Sequence, residues 1–199
     1  LLFSTIESSS EIFVSESGLI SMAGGKLTGY RKMAEKAVNL VCKKLNKFSS
    51  CKTEGIIING GEFENPQSVE SYIIEILLKL MPFGMKKYFA VYLVSNYGKQ
   101  AEKIIEKFLE GSDKNQKKEN NISMAKAELW FAVNYESVQR LQDFFIRRTG
   151  RLLFDPQSLP ELLPVILEKM KNYFQWDEER CEAEKKDMEF LMKQSVTFE

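Results

Sequence analysis

The stretch from Ala23 to Glu35 (AGGKLTGYRKMAE) holds the residues of this chain that are best suited to chemistry. Gly24 and Gly25 permit positive φ angles and let another group approach the backbone closely. Lys26 adds a positive charge, and the Thr28 hydroxyl can donate a hydrogen bond or cap an N–H group. These residues predict an anion-binding corner. The alternative is an ordinary turn with an exposed lysine, because no full P-loop or dinucleotide fingerprint is present.

A strand and a helix must position this corner. The apolar run from Gly18 to Met22 suits a short buried strand. Polar and apolar residues alternate from Glu11 to Ser15, so this segment is predicted to be the strand that pairs with it in a hairpin. A two-stranded hairpin is marginal alone, so we expect it to pack against a sheet that these residues do not supply. The helix is predicted to begin near Leu27, and its apolar positions recur at helical spacing: Tyr30, Ala34, Ala37, Val38, Val41 and Leu45. A helix start presents unpaired N–H groups and a partial positive charge.

From Asn65 onward almost every apolar pattern has helical spacing. Asn65 is a candidate N-cap and Pro66 suits the first helical position, so the first of these helices is predicted to run from there to Pro82. Gly98 and Gly111 are predicted to lie just past the ends of the next two helices. The fold class is therefore predicted to be mainly α, a helical bundle preceded by a hairpin and a helix.

The rest of the chain continues the helical pattern. Ser112 to Asn121 is polar and predicts a mobile loop, and Ser123 is a candidate N-cap for a core helix. Leu159 to Tyr173 and a segment that begins at Trp176 predict the last two helices. The apolar stripe of the core helix is predicted to include Leu129, Trp130 and Val133, with Val138 as a further candidate.

Composition excludes several functional classes. The 28 basic and 28 acidic residues cancel, so the net charge offers no case for nucleic acid. Histidine is absent, so this chain alone cannot assemble a Ser-His-Asp triad, a Cys-His pair or a histidine-ligated metal site. Cys42, Cys51 and Cys181 have no metal or redox spacing and favour a reducing compartment. Carboxylates could still do acid-base chemistry, but most acidic residues are interpreted as solvated charges on helix faces, and none is named as catalytic.

Arg147 and Arg148 form a second candidate anion site. Forked guanidinium groups suit phosphate, but they equally suit structural ion pairs with Glu128, Glu136 or Asp143 and hydrogen bonds to helix-end carbonyls. The structural role is the favoured interpretation.

Several segments resemble, in order, the C-terminal part of FAD-dependent glycerol-3-phosphate dehydrogenases and the related alpha-glycerophosphate oxidases. The resemblance covers nearly the whole chain, and the motif around Lys26 is highly specific to that family. The other segments are INGGEF at 58–63, YLVSNYG at 92–98, AELWFAVNYE at 127–136 and DFFIRRTGRLLFD at 143–155.

The resemblance implies a role for each residue of the corner. It implies that Gly24, Gly25, Lys26, Leu27 and Thr28 bind FAD, with Lys26 also catalytic. The family opens with a glycine-rich FAD-binding turn that is absent here, so the chain is expected to be a C-terminal piece that is inactive alone.

The resemblance also implies a domain organisation. Residues 1–48 would be the edge of the FAD-binding domain, 49–64 a linker and 65–199 the α-helical C-terminal domain. Many relatives carry a phosphate-binding arginine just before the first strand, whereas this chain has Glu7-Ser8-Ser9-Ser10 there. Phosphate binding by that segment is therefore in doubt.

The implied partners follow from the same resemblance. They are glycerol 3-phosphate as substrate, the rest of the FAD domain, and a second copy in a homodimer. The implied location is cytoplasmic or peripheral on the inner face of the membrane, and the electron acceptor stays open between quinone and oxygen. The alternative of another class is a non-catalytic helical module for docking or dimerisation.

Overall fold

The computed structural model describes residues 11–24, 26–115 and 119–196. Contacts between residues divide the chain into two compact units, one up to Ile57 and one from Ile58 onward. The structure is mainly α with one antiparallel hairpin, which confirms the predicted fold class. The predicted domain limits stay predictions.

The first unit consists of a hairpin and a helix. Strands β1 (Glu11–Val14) and β2 (Ile20–Ala23) pair antiparallel, with Glu11 opposite Ala23 and Val14 opposite Ile20. A 3₁₀ turn, Leu27–Gly29, leads into helix α1 (Tyr30–Lys44), close to the predicted helix start.

The prediction of a buried strand in this unit is wrong for the chain as it stands. None of the described residues up to Ile57 is buried, and the apolar stripe of α1 is exposed except at the half-buried Ala37. The apolar residues of the hairpin and of α1 would need another surface to be buried, and the described residues up to Ile57 do not provide it.

The second unit begins with three helices that the sequence predicted. They are α2 (Pro66–Leu80), α3 (Lys87–Tyr97) and α4 (Ala101–Glu110). The predicted N-cap is confirmed, because the Asn65 side chain accepts a hydrogen bond from the Ser68 N–H at 2.8 Å in a capping box. Gly98 and Gly111 follow α3 and α4 as predicted.

Helix α5 (Glu119–Tyr135) begins earlier than the sequence indicates. The prediction of Ser123 as its N-cap is wrong. The Ser123 hydroxyl lies within the helix and donates to the Gly111 carbonyl at 3.3 Å. Asn120, predicted to lie in a polar loop, is buried and donates to the Phe83 carbonyl at 2.9 Å. Its polarity suggested solvent, but a buried carbonyl supplies the partner. Residues 116–118 of that loop lie outside the described residues.

The remaining elements complete the bundle. A π-helical turn, Asp143–Arg148, precedes the short helix α6 (Arg151–Phe154). Helices α7 (Leu159–Phe174) and α8 (Glu178–Val196) follow, both near their predicted positions.

Helix α5 contributes to both apolar cores of this unit. Its Met124, Ala127 and Phe131 belong to a cluster with α2, α3 and α4. A second cluster joins α5 to α7 and α8, and the α5 side chains in it are Ala125, Leu129 and Ala132. The core helix is thus apolar on two faces, and Trp130, predicted in its stripe, is only partly buried.

A contact between two glycines fixes the start of the second unit. The Gly60 carbonyl accepts a hydrogen bond from the Lys99 N–H at 2.9 Å. Gly60 and Gly98 have φ angles of 87° and 55°, and a Cβ added to Gly98 would lie 1.9 Å from the Gly60 oxygen. Only residues without side chains fit this approach.

Candidate functional site

The predicted corner lies between β2 and α1. Gly24 has a φ of 81°, in the left-handed region that favours glycine, and the Lys26 backbone is extended. The Gly29 N–H donates to the Lys26 carbonyl at 2.8 Å and closes the 3₁₀ turn. Gly25 lies outside the described residues.

Several polar groups of this corner have no partner among the described residues. Among the described residues, no side chain caps the turn, and the N–H groups of Leu27 and Thr28 have no hydrogen-bond acceptor. Within the same described ranges the Lys26 ammonium has no ion-pair partner, and Gly24 and these residues are exposed. The corner can therefore present N–H donors and one positive charge to an anionic group.

The side chains of Lys44 and Arg31 connect the elements on either side of the corner. The Lys44 ammonium, in the last turn of α1, donates to the Gly18 carbonyl of the hairpin turn at 3.3 Å. Arg31 donates to Glu35 and to Thr53, at 3.3 Å in each case. The Lys44 bond ties α1 to the hairpin, and the bond from Arg31 to Thr53 ties α1 to the segment after it.

A second polar cluster, which sequence reasoning missed, lies inside the helical unit. The Glu128 side chain of α5 is fully buried. Its Oε1 accepts hydrogen bonds from the hydroxyls of Tyr92 at 2.6 Å and Tyr97 at 3.2 Å. Its Oε2 accepts a short ion-paired bond from the Arg151 guanidinium of α6. We call these residues the Glu128 cluster.

The electrostatics of the Glu128 cluster follow from burial and charge. Burial and the adjacent carboxylate raise the pKa of Tyr92 and of Tyr97, so both hydroxyls stay protonated donors. Burial acts to lower the pKa of Arg151, but the charge of Glu128 outweighs it and the pKa is raised. The cluster is thus one carboxylate held by neutral and cationic donors.

The interpretation that the acidic residues are mostly solvated does not hold for Glu128. The sequence also offers Glu128 as an ion-pair partner of Arg147 or Arg148, but its partner in the structure is Arg151. One signal was available, because Glu128 lies within the apolar run Ala127 to Val133 on a core helix. A charged side chain inside such a run either is exposed to solvent or, if it is buried, needs an ion-pair or hydrogen-bond partner.

Arg147 and Arg148 have structural contacts, as the favoured interpretation predicts. Arg147 forms an ion pair with Asp143 at 2.6 Å. Arg148 donates to the backbone carbonyl of Glu136 at 2.7 Å rather than to its carboxylate.

Comparison with known proteins places the chain in a family. Residues 51–181 match the family model of the C-terminal domain of alpha-glycerophosphate oxidase. The chain belongs to this family. That match includes the whole Glu128 cluster, whereas the Lys26 corner lies upstream of it.

Longer relatives of this alpha-glycerophosphate oxidase family also match upstream of residue 51. The aerobic glycerol-3-phosphate dehydrogenase of Bacillus subtilis strain 168 is 32% identical over 97% of this chain. The enzyme of the same name from Staphylococcus aureus strain USA300 is 28% identical over 96% of the chain. The chain spans only 36% and 35% of the length of these two relatives.

A solved structure has the same fold. The glycerol-3-phosphate dehydrogenase from Bacillus halodurans, described as complexed with FAD, superposes with a TM-score of 0.79 at 33% identity. The match covers 95% of this chain and 38% of that one.

Two searches of the described residues were negative. No group of three or more Cys, Asp or Glu side chains there is arranged to hold a metal ion. No helix in the same ranges has the length and apolar character that crossing a bilayer requires.

Proposed function

We propose that this chain is the C-terminal portion of an FAD-dependent glycerol-3-phosphate dehydrogenase or oxidase. The parent enzyme would convert glycerol 3-phosphate to dihydroxyacetone phosphate and pass electrons to quinone or oxygen. The observation that carries this proposal is the match of nearly the whole chain to an FAD-complexed glycerol-3-phosphate dehydrogenase at 33% identity.

The Lys26 corner is the proposed contact with the cofactor. Gly24, Gly25, Lys26, Leu27 and Thr28 are proposed to lie against the flavin ring. The proposal is supported by the left-handed Gly24 backbone, and by two N–H groups and one ammonium that have no partner among the described residues. A bulky planar group needs a close approach to backbone, and the exposed glycine allows it.

The proposed task of the corner is electrostatic. The flavin, when bound, supplies the acceptor for hydride from C2 of the substrate and gains negative charge around N1 and the C2 carbonyl. The Leu27 and Thr28 N–H groups would donate to that region, and Lys26 would add a full positive charge. Such preorganised donors stabilise developing charge without reorganisation.

The proposed partner of the first unit is the rest of the FAD domain. Large apolar side chains of this unit are exposed, although a strand or helix with an apolar face normally buries that face against another element. The best examples are Phe13, Leu19, Leu27, Val38 and Leu45.

The same exposed residues also fit the alternative function, a docking or dimerisation module without catalysis. A homodimer, a cytoplasmic location and peripheral membrane association belong to the proposal for the parent protein, as does a role in glycerol metabolism.

Lys26→Met in the complete enzyme tests the corner. We expect turnover to fall about a hundredfold, the usual loss for one preorganised donor, because the methionine keeps the length and removes the charge. Steady-state kinetics with glycerol 3-phosphate give the turnover, and thermal unfolding should be nearly unchanged.

Lys36→Met, at an exposed lysine within α1, is the matched control and should retain turnover. If Lys26→Met lowers the melting temperature and leaves turnover normal, the corner is an ordinary turn.

The isolated 199-residue chain is expected to hold no FAD and to have no dehydrogenase activity. The reason is the missing glycine-rich turn for the FAD diphosphate. The check is the flavin absorption spectrum of the purified chain after gel filtration, beside the complete protein. Stoichiometric flavin on the isolated chain would contradict the expectation.

A further inference from the structure

A cavity of about 480 Å³ lies in the helical unit, between α3 and the segment 146–155. Its volume falls in the range of small-molecule sites, roughly 300–1,000 Å³. Neither the Lys26 corner nor the proposed flavin chemistry uses it. The Glu128 cluster reaches its wall through Tyr92 and Arg151.

Aromatic rings form one wall of this cavity. The rings of Tyr88 and Tyr92 stack with centroids 6.2 Å apart at 22°. Phe154 is 84% exposed. Its ring lies over Gly150, where an added Cβ would be 3.0 Å from the Phe154 Cδ2. Exposed ring faces of this kind attract a planar apolar group, because stacking removes apolar area from water on both sides.

The lining arginines differ in how their charges are neutralised. Arg147 is paired with Asp143, and Arg151 with Glu128. Arg148 has no carboxylate within 4.0 Å among the described residues. Its hydrogen bond to the Glu136 carbonyl, at 2.7 Å, holds the guanidinium in place and leaves other N–H groups of the fork to donate.

Two acidic groups near the cavity limit the charge of a ligand. Asp155 lines it and lies 3.8 Å from the Arg151 guanidinium. Burial raises the pKa of Glu136, although the positive charge of Arg148 opposes that rise. Among the described residues, Arg148 is the lining arginine that has no ion pair and can donate to an anion. A fixed guanidinium fork matches a single carboxylate, and a second negative charge would meet Asp155.

We propose that this cavity is a binding site for a small aromatic carboxylate. The planar ring lies against Tyr88 and Phe154, and the carboxylate accepts hydrogen bonds from Arg148. The site is independent of FAD and of the Lys26 corner.

Binding of 2-naphthoate to the isolated chain tests the proposal. We expect binding in the millimolar range or tighter, and titration calorimetry with backbone NMR shifts can measure it. The shifted N–H signals should include Ser95 and Gly150, which line the cavity. The neutral 2-naphthamide keeps the ring and loses the charge, whereas acetate keeps the charge and loses the ring. Each should bind at least about tenfold more weakly, since each lacks one of the two contacts.

Variants assign the binding to the named residues. Arg148→Met and Phe154→Ala should each weaken 2-naphthoate binding about tenfold, because each removes one of the two contacts. Both residues are exposed, so the fold should persist. Arg31→Met, at an arginine that does not line the cavity, should bind as the unchanged chain does.

Three results would overturn the proposal. The first is no binding up to about 10 mM 2-naphthoate, which is weaker than a built site should give. The second is equal binding of the naphthamide, which would remove the role of Arg148. The third is unchanged affinity in both cavity variants.

Discussion

Replacing Glu128 with alanine is expected to lower the free energy of unfolding of the helical unit by about 3 to 5 kcal/mol. The variant leaves the buried Arg151 guanidinium with only the more distant Asp155 carboxylate, 3.8 Å away, and deprives two tyrosine hydroxyls of their acceptor. An uncompensated buried charge is among the most destabilising single changes. Urea unfolding followed by circular dichroism measures the loss.

The matched control is Glu75→Ala on α2, a half-exposed carboxylate paired with Lys79. It should change the unfolding free energy by less than about 0.5 kcal/mol, since surface ion pairs contribute little. Glu128→Gln keeps an acceptor for the tyrosines and should fall between the two. Equal stability of the Glu128→Ala and Glu75→Ala variants would mean that the cluster is not a buried ion pair.

Gly98→Ala is expected to destabilise the helical unit by about 3 kcal/mol or more. The added Cβ would lie 1.9 Å from the Gly60 carbonyl oxygen, and the neighbouring atoms are backbone that cannot rotate away. The φ of 55° with ψ of −134° adds strain for any residue with a side chain. Loss of the bond from the Lys99 N–H to Gly60 should accompany the change.

Gly111→Ala is the natural comparison, because no atom lies within 4 Å of an added Cβ there and φ is −117°. Its effect should stay below about 1 kcal/mol. Thermal unfolding of the two alanine variants, with hydrogen exchange of the Lys99 amide, distinguishes a local clash from a general cost of replacing glycine. Similar melting temperatures for both would contradict the contact.

The elements that the sequence predicts well are those with local signals. Asn65 followed by Pro66 fixes the start of α2, and glycines mark the ends of α3 and α4, because caps depend on a few adjacent residues. The strand-turn-helix around Lys26 is of the same kind. A local pattern indicates the turn but not the ligand, so the assignment of Gly24 to Thr28 to flavin binding stays a prediction.

The elements that the sequence predicts badly depend on distant partners. Glu128 is buried because Tyr92, Tyr97 and Arg151 reach it from elements far along the chain. Asn120 is buried because a carbonyl of Phe83 accepts its hydrogen bond. Polar residue types suggest solvent in both cases, and only tertiary contacts reverse that expectation.

Helix α5 packs on both sides, against one apolar cluster through Phe131 and against the other through Leu129. A chimera that joined the first half of one relative to the second half of another would have to cut the chain before or after this helix. Whichever parent supplied α5, one face of the helix would pack against side chains from the other parent, whose sequence has diverged. The two halves of the helical unit are therefore expected to be inherited together, and exchange of either half alone should lose stability through mismatched packing.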